Sequence, residues 1–273
     1  MKWRESIRKN NNNMWEKELQ KAIEAGLLAK EKIMEIYNRG FDVEIKEDDS
    51  PVTIADKTAD KIIKEYLSKA FPTHAFLTEE SEDNKSRLQN DFVWIVDPVD
   101  GTKDFVAKDG EFTTNIALAY KHEVVVGVVI APALDEMYYA TKNGGAFYQK
   151  IGQKPVKIHV NDKTEDLTFL TSVFHFTKEE EAIINNHPDK FKHVLKRGSS
   201  LKPCAIAHGI AEITYRSSPN TKEWDTAASQ IIVEEAGGIF VEPDGNPIRY
   251  NREDVYNRKG YIVVNRKENI YLK

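Results

Sequence analysis

At 273 residues the chain can bury a large core and exceeds the usual single-domain size, so one large domain or two fused ones are expected. Hydrophobic residues make up 40% and charged residues 30%, the balance of an ordinary folded protein rather than a disordered one. A formal charge of −5 without any basic block argues against polymeric nucleic acid as a partner, and a single cysteine, Cys204, excludes an intrachain disulfide.

That cysteine count fits a reducing, cytoplasmic compartment. Beside Pro203 and Ala205, Cys204 reads as a small buried residue rather than a nucleophile. Residues 1–13 carry charges and the run Asn10–Asn13 but no apolar core of a secretory signal. They predict a disordered extension, with Met14 as the biological start.

From Trp15 through Leu19, Ile23, Leu27, Met34 and Tyr37 the apolar spacing predicts a long amphipathic helix that ends at Gly40. A charged, proline-marked loop then leads into a second helix carrying Ile54, Ile62, Tyr66 and Leu67. Asp56 and Asp60 share one face of its first turns, where a helix dipole alone would favour them. His74 to Leu77 predicts a short strand that stops on Thr78, Glu79 and Glu80.

The stretch FVWIVDPVDGTKDF, residues 92–105, has the strongest chemical signal. Phe92 to Val96 predicts a buried strand. Asp97 and Asp100 then flank a bend at Pro98, and two carboxylates with an exposed carbonyl suit Mg²⁺, which takes oxygen ligands at roughly 2.0–2.1 Å. Gly101 would let a phosphate approach the backbone, while Thr102 would cap a helix opening at Lys103. Taken alone, DPVDG fits a capped turn with solvated acids as well as it fits a metal site.

Thr113–Tyr120 with Val124–Ile130, then Glu136–Thr141 with Ala146–Gln149, predict two hairpins of an antiparallel meander with helices on one face. The apolar stretch from Val124 to Leu134 is broken by Gly127 and Pro132 and falls short of the ~20 residues of a membrane helix. Gln153 to Pro155 reads as the seam between an N-terminal α+β half, residues 14–152, and a C-terminal α/β half, residues 153–273. In the latter, strands near Leu167–Val173, His193–Lys196 and Glu212–Tyr215 alternate with helices near Lys178–Asn186 and Leu201–Ala207. The segment EWDTAASQIIVEEAGG predicts a helix with Asp225 at its start and glycines at its end. Tyr261–Val264 predicts a last strand.

Together these pieces resemble the lithium-sensitive, magnesium-dependent phosphatase superfamily that contains the inositol monophosphatases. WIVDPVDGTKDF is similar to its first signature and WDTAASQIIVEEAGG to its second, with SPVTIAD and LTEES upstream in the expected order, so the resemblance spans residues 15–265. It implies an αβαβα layered sandwich. It further implies that Glu79, Asp97 and the carbonyl of Val99 hold one Mg²⁺, that Asp97, Asp100 and Asp225 hold a second, and that a third ion sits near Glu79. Asp56 and Thr102 would orient and deprotonate the attacking water, with Lys46 beside them.

Within the superfamily the chain is most similar to the 3'(2'),5'-bisphosphate nucleotidases, through GEFTTNIAL, through Gly198-Ser199-Ser200-Leu201-Lys202 and through Arg216. That resemblance implies hydrolysis of the 3'-phosphate of adenosine 3',5'-bisphosphate, and of 3'-phosphoadenylyl sulfate. Gly101, Thr102, Ser199, Lys202, Arg216 and His175 would contact the substrate. Ser172-Val173-Phe174-His175 departs from the family's Ser-Arg-Ser-His, and Ser217–Lys222 departs from its usual loop. Ser218 stands near where inositol phosphatases place a sugar-binding glutamate. Inositol or fructose-bisphosphate phosphatase activity is the first alternative, and a non-catalytic nucleotide or metal sensor the second. Lithium inhibition, a small-molecule substrate and a homodimer complete the expectations.

Overall fold

The structure, a computed structural model, describes residues 14–45 and 51–271. The extension expected over 1–13 and the proposed contact Lys46 lie outside the described residues. Helices α1 (Glu16–Arg39) and α2 (Ile54–Ala70) form where apolar residues recur at helical spacing. α1 buries Leu19, Ile23 and Ile33, and α2 buries Ala55, Ala59, Ile63 and Leu67. Between them, β1 (Val43–Ile45) pairs with β2 (Pro51–Thr53).

The two helices cover one face of a seven-stranded sheet, β3 (Ala75–Thr78), β4 (Phe92–Asp100), β5 (Thr113–Tyr120), β6 (Glu123–Ala131), β7 (Glu136–Thr141), β8 (Gly145–Lys150) and β9 (Val156–Ile158). The strands lie in sequence order, with β3 parallel to β4 and all other pairs antiparallel. β9 therefore extends the first sheet beyond the seam read at residues 153–155.

A second sheet has the order β11 (Phe191–Lys196), β10 (Leu167–Thr171), β12 (Ile213–Arg216), β14 (Tyr261–Val264), β13 (Ile239–Val241). Strand β10 runs parallel to both its neighbours and β14 antiparallel to its own. Between the sheets lie α5 (Leu201–Ala207) and α6 (Glu223–Glu235), and α4 (Lys178–Asn186) closes the outer face with Ile183 and Ile184. The result is the αβαβα sandwich expected from the sequence. Three second-half elements differ from expectation only at their ends: β10 stops at Thr171, β11 starts at Phe191, and β12 runs Ile213–Arg216.

One expectation about the first half is corrected. The meander carries helices on both faces, because α6 packs against β6 from the side opposite α1. Gly127 in β6 makes that approach possible: a Cβ there would lie 2.4 Å from the carbonyl oxygen of Ala228. A single apolar cluster runs from Leu77, Val93 and Ala117 through Ile231 and Ile232 to Val263, so both sheets share one helix layer. Each large aliphatic side chain buried there contributes about 1.5–3 kcal/mol, which anchors α6 firmly enough to hold a carboxylate at its first turn.

Candidate active site

Strand β4 does not end at Val96. It continues through Pro98 to Asp100 because β5 runs on beside it, with Asp97 opposite Asn115, Asp100 opposite Thr113, and a register shift between. Proline has no N–H to give the ladder, so the shift falls at Pro98. Thr114 Oγ1 donates to the Pro98 carbonyl at 2.8 Å, and the Val99 N–H donates to Asp97 Oδ1 at 3.1 Å. The irregularity brings both aspartates to the same place.

Asp225 reaches that place from the other half of the chain. It lies in the first turn of α6, where its Oδ2 accepts the Lys222 N–H at 2.6 Å. Helix capping and membership of the cluster are thus compatible roles. Carboxylate oxygens of Asp97, Asp100 and Asp225 all lie within 4.8 Å of one another. Burial pushes the Asp97 carboxyl well above the usual carboxylate range, and Glu79, Asp100, Asp225 and Asp56 push it further. Asp225 is raised to about 7 by burial, then by Asp100 and Glu79. Glu79 follows β3, donates its N–H to the Val96 carbonyl at 3.2 Å and lines the cleft. Hard oxygen donors that destabilise each other's charged form, with Asp97 only 1% exposed, fit a divalent cation.

Beside the cluster, Thr53 N and Oγ1 donate to Asp56 Oδ2 at 2.8 and 2.7 Å, which completes a capping box and fixes the carboxylate. The Thr102 hydroxyl lies 3.3 Å from Asp56 Oδ1 and 3.2 Å from the Val99 carbonyl oxygen. Burial raises the Asp56 carboxyl, against the Thr53 hydrogen bonds. Thr102 is not a cap, as the sequence suggested: it is the first residue of α3 (Thr102–Ala107), and Gly101 caps it at φ 88°. A Cβ on Gly101 would lie 3.2 Å from that of Ser199, so the left-handed turn and the close loop both select glycine.

The same cleft is also lined by cations. Lys202 is buried in α5, its Nζ donating to the carbonyls of Ser199 at 2.9 Å and Arg197 at 3.3 Å. Burial lowers its pKa and Arg216 adds to that, with Asp100 opposing. Arg216, at the end of β12, donates through Nη1 to the His175 carbonyl, and Glu180 Oε1 stands 3.7 Å away. His175 is held down to about 4 by desolvation and then by Arg216, Lys103 and Lys202, so its neutral Nε2 can accept from Lys103 Nζ at 3.3 Å. Acids and cations together line one cleft of about 500 Å³.

A family model for the inositol monophosphatase family matches residues 14–272. The chain belongs to that family. It is 36% identical over 245 residues to a 3'(2'),5'-bisphosphate nucleotidase CysQ of Buchnera aphidicola, covering 88% of this chain and 90% of the relative. With the protein of the same name from Escherichia coli K12 it shares 34% identity over 238 residues, 86% of this chain and 94% of that one. The crystal structure of CysQ from Bacteroides thetaiotaomicron superposes with a TM-score of 0.78 at 34% identity, over 92% of this chain and 98% of that chain.

As an inositol monophosphatase family member the chain is expected to depend on metal ions, in agreement with its acidic cluster. Its fold brings Glu79, Asp100, Thr102 and Asp225 to one cleft with His175, Ser199, Lys202 and Arg216. The Ser199 hydroxyl donates to the Glu111 carbonyl at 2.9 Å, which leaves its oxygen free to accept. Sequence reasoning missed the residues that hold Asp100. Its Oδ2 accepts from Ser200 N and Oγ at 2.8 Å each, from Asn115 Nδ2 at 3.1 Å and from Thr113 Oγ1 at 3.3 Å. The available signal was Thr113-Thr114-Asn115, three polar residues opening a strand that is otherwise apolar and buried.

Proposed function

We propose that this chain is a Mg²⁺-dependent 3'(2'),5'-bisphosphate nucleotidase that hydrolyses the 3'-phosphate of adenosine 3',5'-bisphosphate to give AMP and phosphate, and also accepts 3'-phosphoadenylyl sulfate. The observation that carries this reading is one cleft lined both by Asp100 and Asp225, two of three converging acids, and by Lys202 with Arg216. A substrate with two phosphates needs both; the names of the curated relatives point the same way.

Glu79, Asp97, Asp100, Asp225 and the Val99 carbonyl would hold the metal ions, which when bound neutralise phosphoryl charge, activate water and stabilise the leaving oxygen. Thr102 Oγ1 takes a proton from the attacking water as its own proton passes to Asp56 Oδ1, whose burial favours taking it. Asp100, held by Ser200 and Asn115, keeps its orientation throughout. Lys202 and Arg216 bind the phosphate that is not cleaved, with Arg216 offering the planar fork that suits a phosphate. Gly101 lets the reacting phosphate approach the backbone, and Ser199 and His175 border the nucleoside. Mg²⁺ as the physiological ion, Li⁺ as an inhibitor, a homodimer and a cytoplasmic location belong to the same reading; among the described residues no helix is long and apolar enough to cross a membrane.

Comparing kcat/KM for adenosine 3',5'-bisphosphate and inositol 1-phosphate tests the assignment. A clear preference for the bisphosphate is expected, and a preference for inositol 1-phosphate would overturn it in favour of an inositol phosphatase. No phosphate release from any ester in the presence of Mg²⁺ would favour a non-catalytic sensor.

A further inference from the structure

One carboxylate beside the cleft takes no part in the acidic cluster. Glu180 lies in the first turn of α4, on the outer layer of the molecule, yet it is 1% exposed, while Glu179 and Glu181 on the same turn are exposed. Capping explains half of its side chain. Glu180 Oε2 accepts the Thr177 N–H at 3.4 Å while Thr177 Oγ1 accepts the Glu180 N–H at 3.2 Å, a reciprocal capping box.

The other oxygen has a different role. Oε1 is buried with no hydrogen-bond partner among the described residues, and it stands 3.7 Å from Arg216 Nη1. A cap does not require burial, and a buried carboxylate costs several kcal/mol unless a charge offsets it. Burial raises the Glu180 carboxyl, while Arg216 and Lys202, two cations of the cleft wall, and the backbone N–H groups of Thr177 and Ser217 favour its charged form. Arg216 is in turn tied to the same segment. Its Nη1 donates to the His175 carbonyl, and Thr177 Oγ1 and Ser217 Oγ are 2.7 Å apart, joining the cap residue to the neighbour of Arg216. A guanidinium has five N–H donors, so one hydrogen bond and one ion pair fix its plane and leave donors for a ligand.

We propose that Glu180 is a positioning residue for the second-anion pocket. It fixes the guanidinium of Arg216, and through Arg216 the loop that presents His175, so that the pocket is already assembled when a second phosphate arrives. Glu180 touches no substrate. This inference rests on the bisphosphate reading, because that second phosphate is what Arg216 would bind.

Glu180→Gln separates the two roles, because glutamine serves a capping box as well as glutamate does but carries no charge. The measurement is steady-state kinetics of the Mg²⁺-loaded full chain on adenosine 3',5'-bisphosphate and on adenosine 3'-monophosphate. We expect E180Q to raise KM for the bisphosphate about tenfold with kcat within about twofold, and the bisphosphate-over-monophosphate ratio of kcat/KM to fall by about the same factor. In an Arg216→Ala background E180Q is expected to have no further effect on that KM. An unchanged KM, an equal rise for both substrates, or additivity with R216A would overturn the proposal. Should E180Q fold poorly, Thr177→Val removes the cap and keeps the carboxylate, and Ser217→Ala loses the same hydroxyl contact while keeping the cap: a substrate ratio in T177V no lower than in S217A supports the proposal, and a further tenfold fall overturns it. A wild-type chain with no preference for the bisphosphate would instead sink the nucleotidase reading and this inference with it, whereas a preference undiminished in E180Q sinks only the role of Glu180.

Discussion

The two ends of the cleft are opposites in charge and also in how the chain holds them. The acidic end is fixed by regular structure: Asp97 and Asp100 on β4, Asp56 and Asp225 in the first turns of two helices, each with backbone or hydroxyl donors on one oxygen. Lys202 and Arg216 also stand on regular elements, α5 and β12, but their charged groups are held by carbonyls of loops, Lys202 by those of Arg197 and Ser199 and Arg216 by that of His175. In each, like charges gather in a desolvated place and disfavour one another's charged form: Asp97 and Asp225 are pushed up, Lys202 and His175 down. A group of like charges that is costly by itself is complete only with an opposite charge from outside. One end therefore calls for cations and the other for an anion, and the substrate with a phosphate at each end joins them.

The contrast can be broken most severely at Asp97, the carboxylate that all the other acids act upon. Asp97→Asn is expected to reduce phosphate release from every ester by roughly 10³-fold or more, several kcal/mol of lost electrostatic stabilisation. The same change relieves repulsion, so the metal-free variant should melt higher than the wild type, a trade of stability against function. Undiminished turnover in this variant would remove the metal assignment. At the other end, Lys202→Met keeps the bulk of a buried side chain and deletes its charge. We expect KM for adenosine 3',5'-bisphosphate to rise by about 10–100-fold with a much smaller change for the 3'-monophosphate, since a charge-assisted contact to one phosphate is lost. An equal loss on both substrates would mean that the two ends are not separate sites.

The same contrast explains what could be read in the sequence. Acids set at strand ends and helix starts stand out against apolar periodicity, so Glu79, Asp97, Asp100 and Asp225 were visible as candidates before any fold was known. Their convergence was implied by the family resemblance but by no local pattern, because Asp225 lies on a helix whose approach to β6 depends on Gly127, a contact between residues a hundred positions apart. The strand through Pro98 was misjudged for a local reason: proline suggests an end, whereas the long partner β5 carried the pairing past it. Thr102 was given the cap that Gly101 supplies, because a positive φ leaves no mark on its neighbours' side chains. Ser200 was legible only as part of a motif, and its hold on Asp100 escaped, as Glu180 did altogether, since a serine in a loop and a glutamate at N3 of a helix are ordinary until the tertiary fold buries them.

A smaller effect sharpens the comparison through pH. Asp225 titrates at about 7 in the fold and Asp97 well above its ordinary value, while an unfolded aspartate titrates near 3.9. The folded, metal-free chain thus keeps protons that the unfolded chain has released, and its stability falls as pH rises through this range. Two other sets of groups act in different windows. Glu24 and Asp83, both held at about 2, contribute stability that is lost only in acid, below about pH 4. His175, held near 4, costs stability as pH falls below about 6.5, where the unfolded ring gains its proton. Between about pH 6.5 and 8 the acidic cluster acts together with Asp104, which burial and then Asp109 and Asp100 also raise to about 7. Melting of the metal-free protein should therefore fall by a few degrees from about pH 6.5 to 8, and saturating Mg²⁺ should raise it more at the upper pH, because the ion binds the deprotonated acids. In Asp97→Asn both trends should flatten, whereas in Lys202→Met the Mg²⁺-dependent gain should persist. A melting temperature that climbs with pH in the metal-free wild type would show that the cluster is already neutralised by the chain itself, and the acidic end would lose its need for an ion.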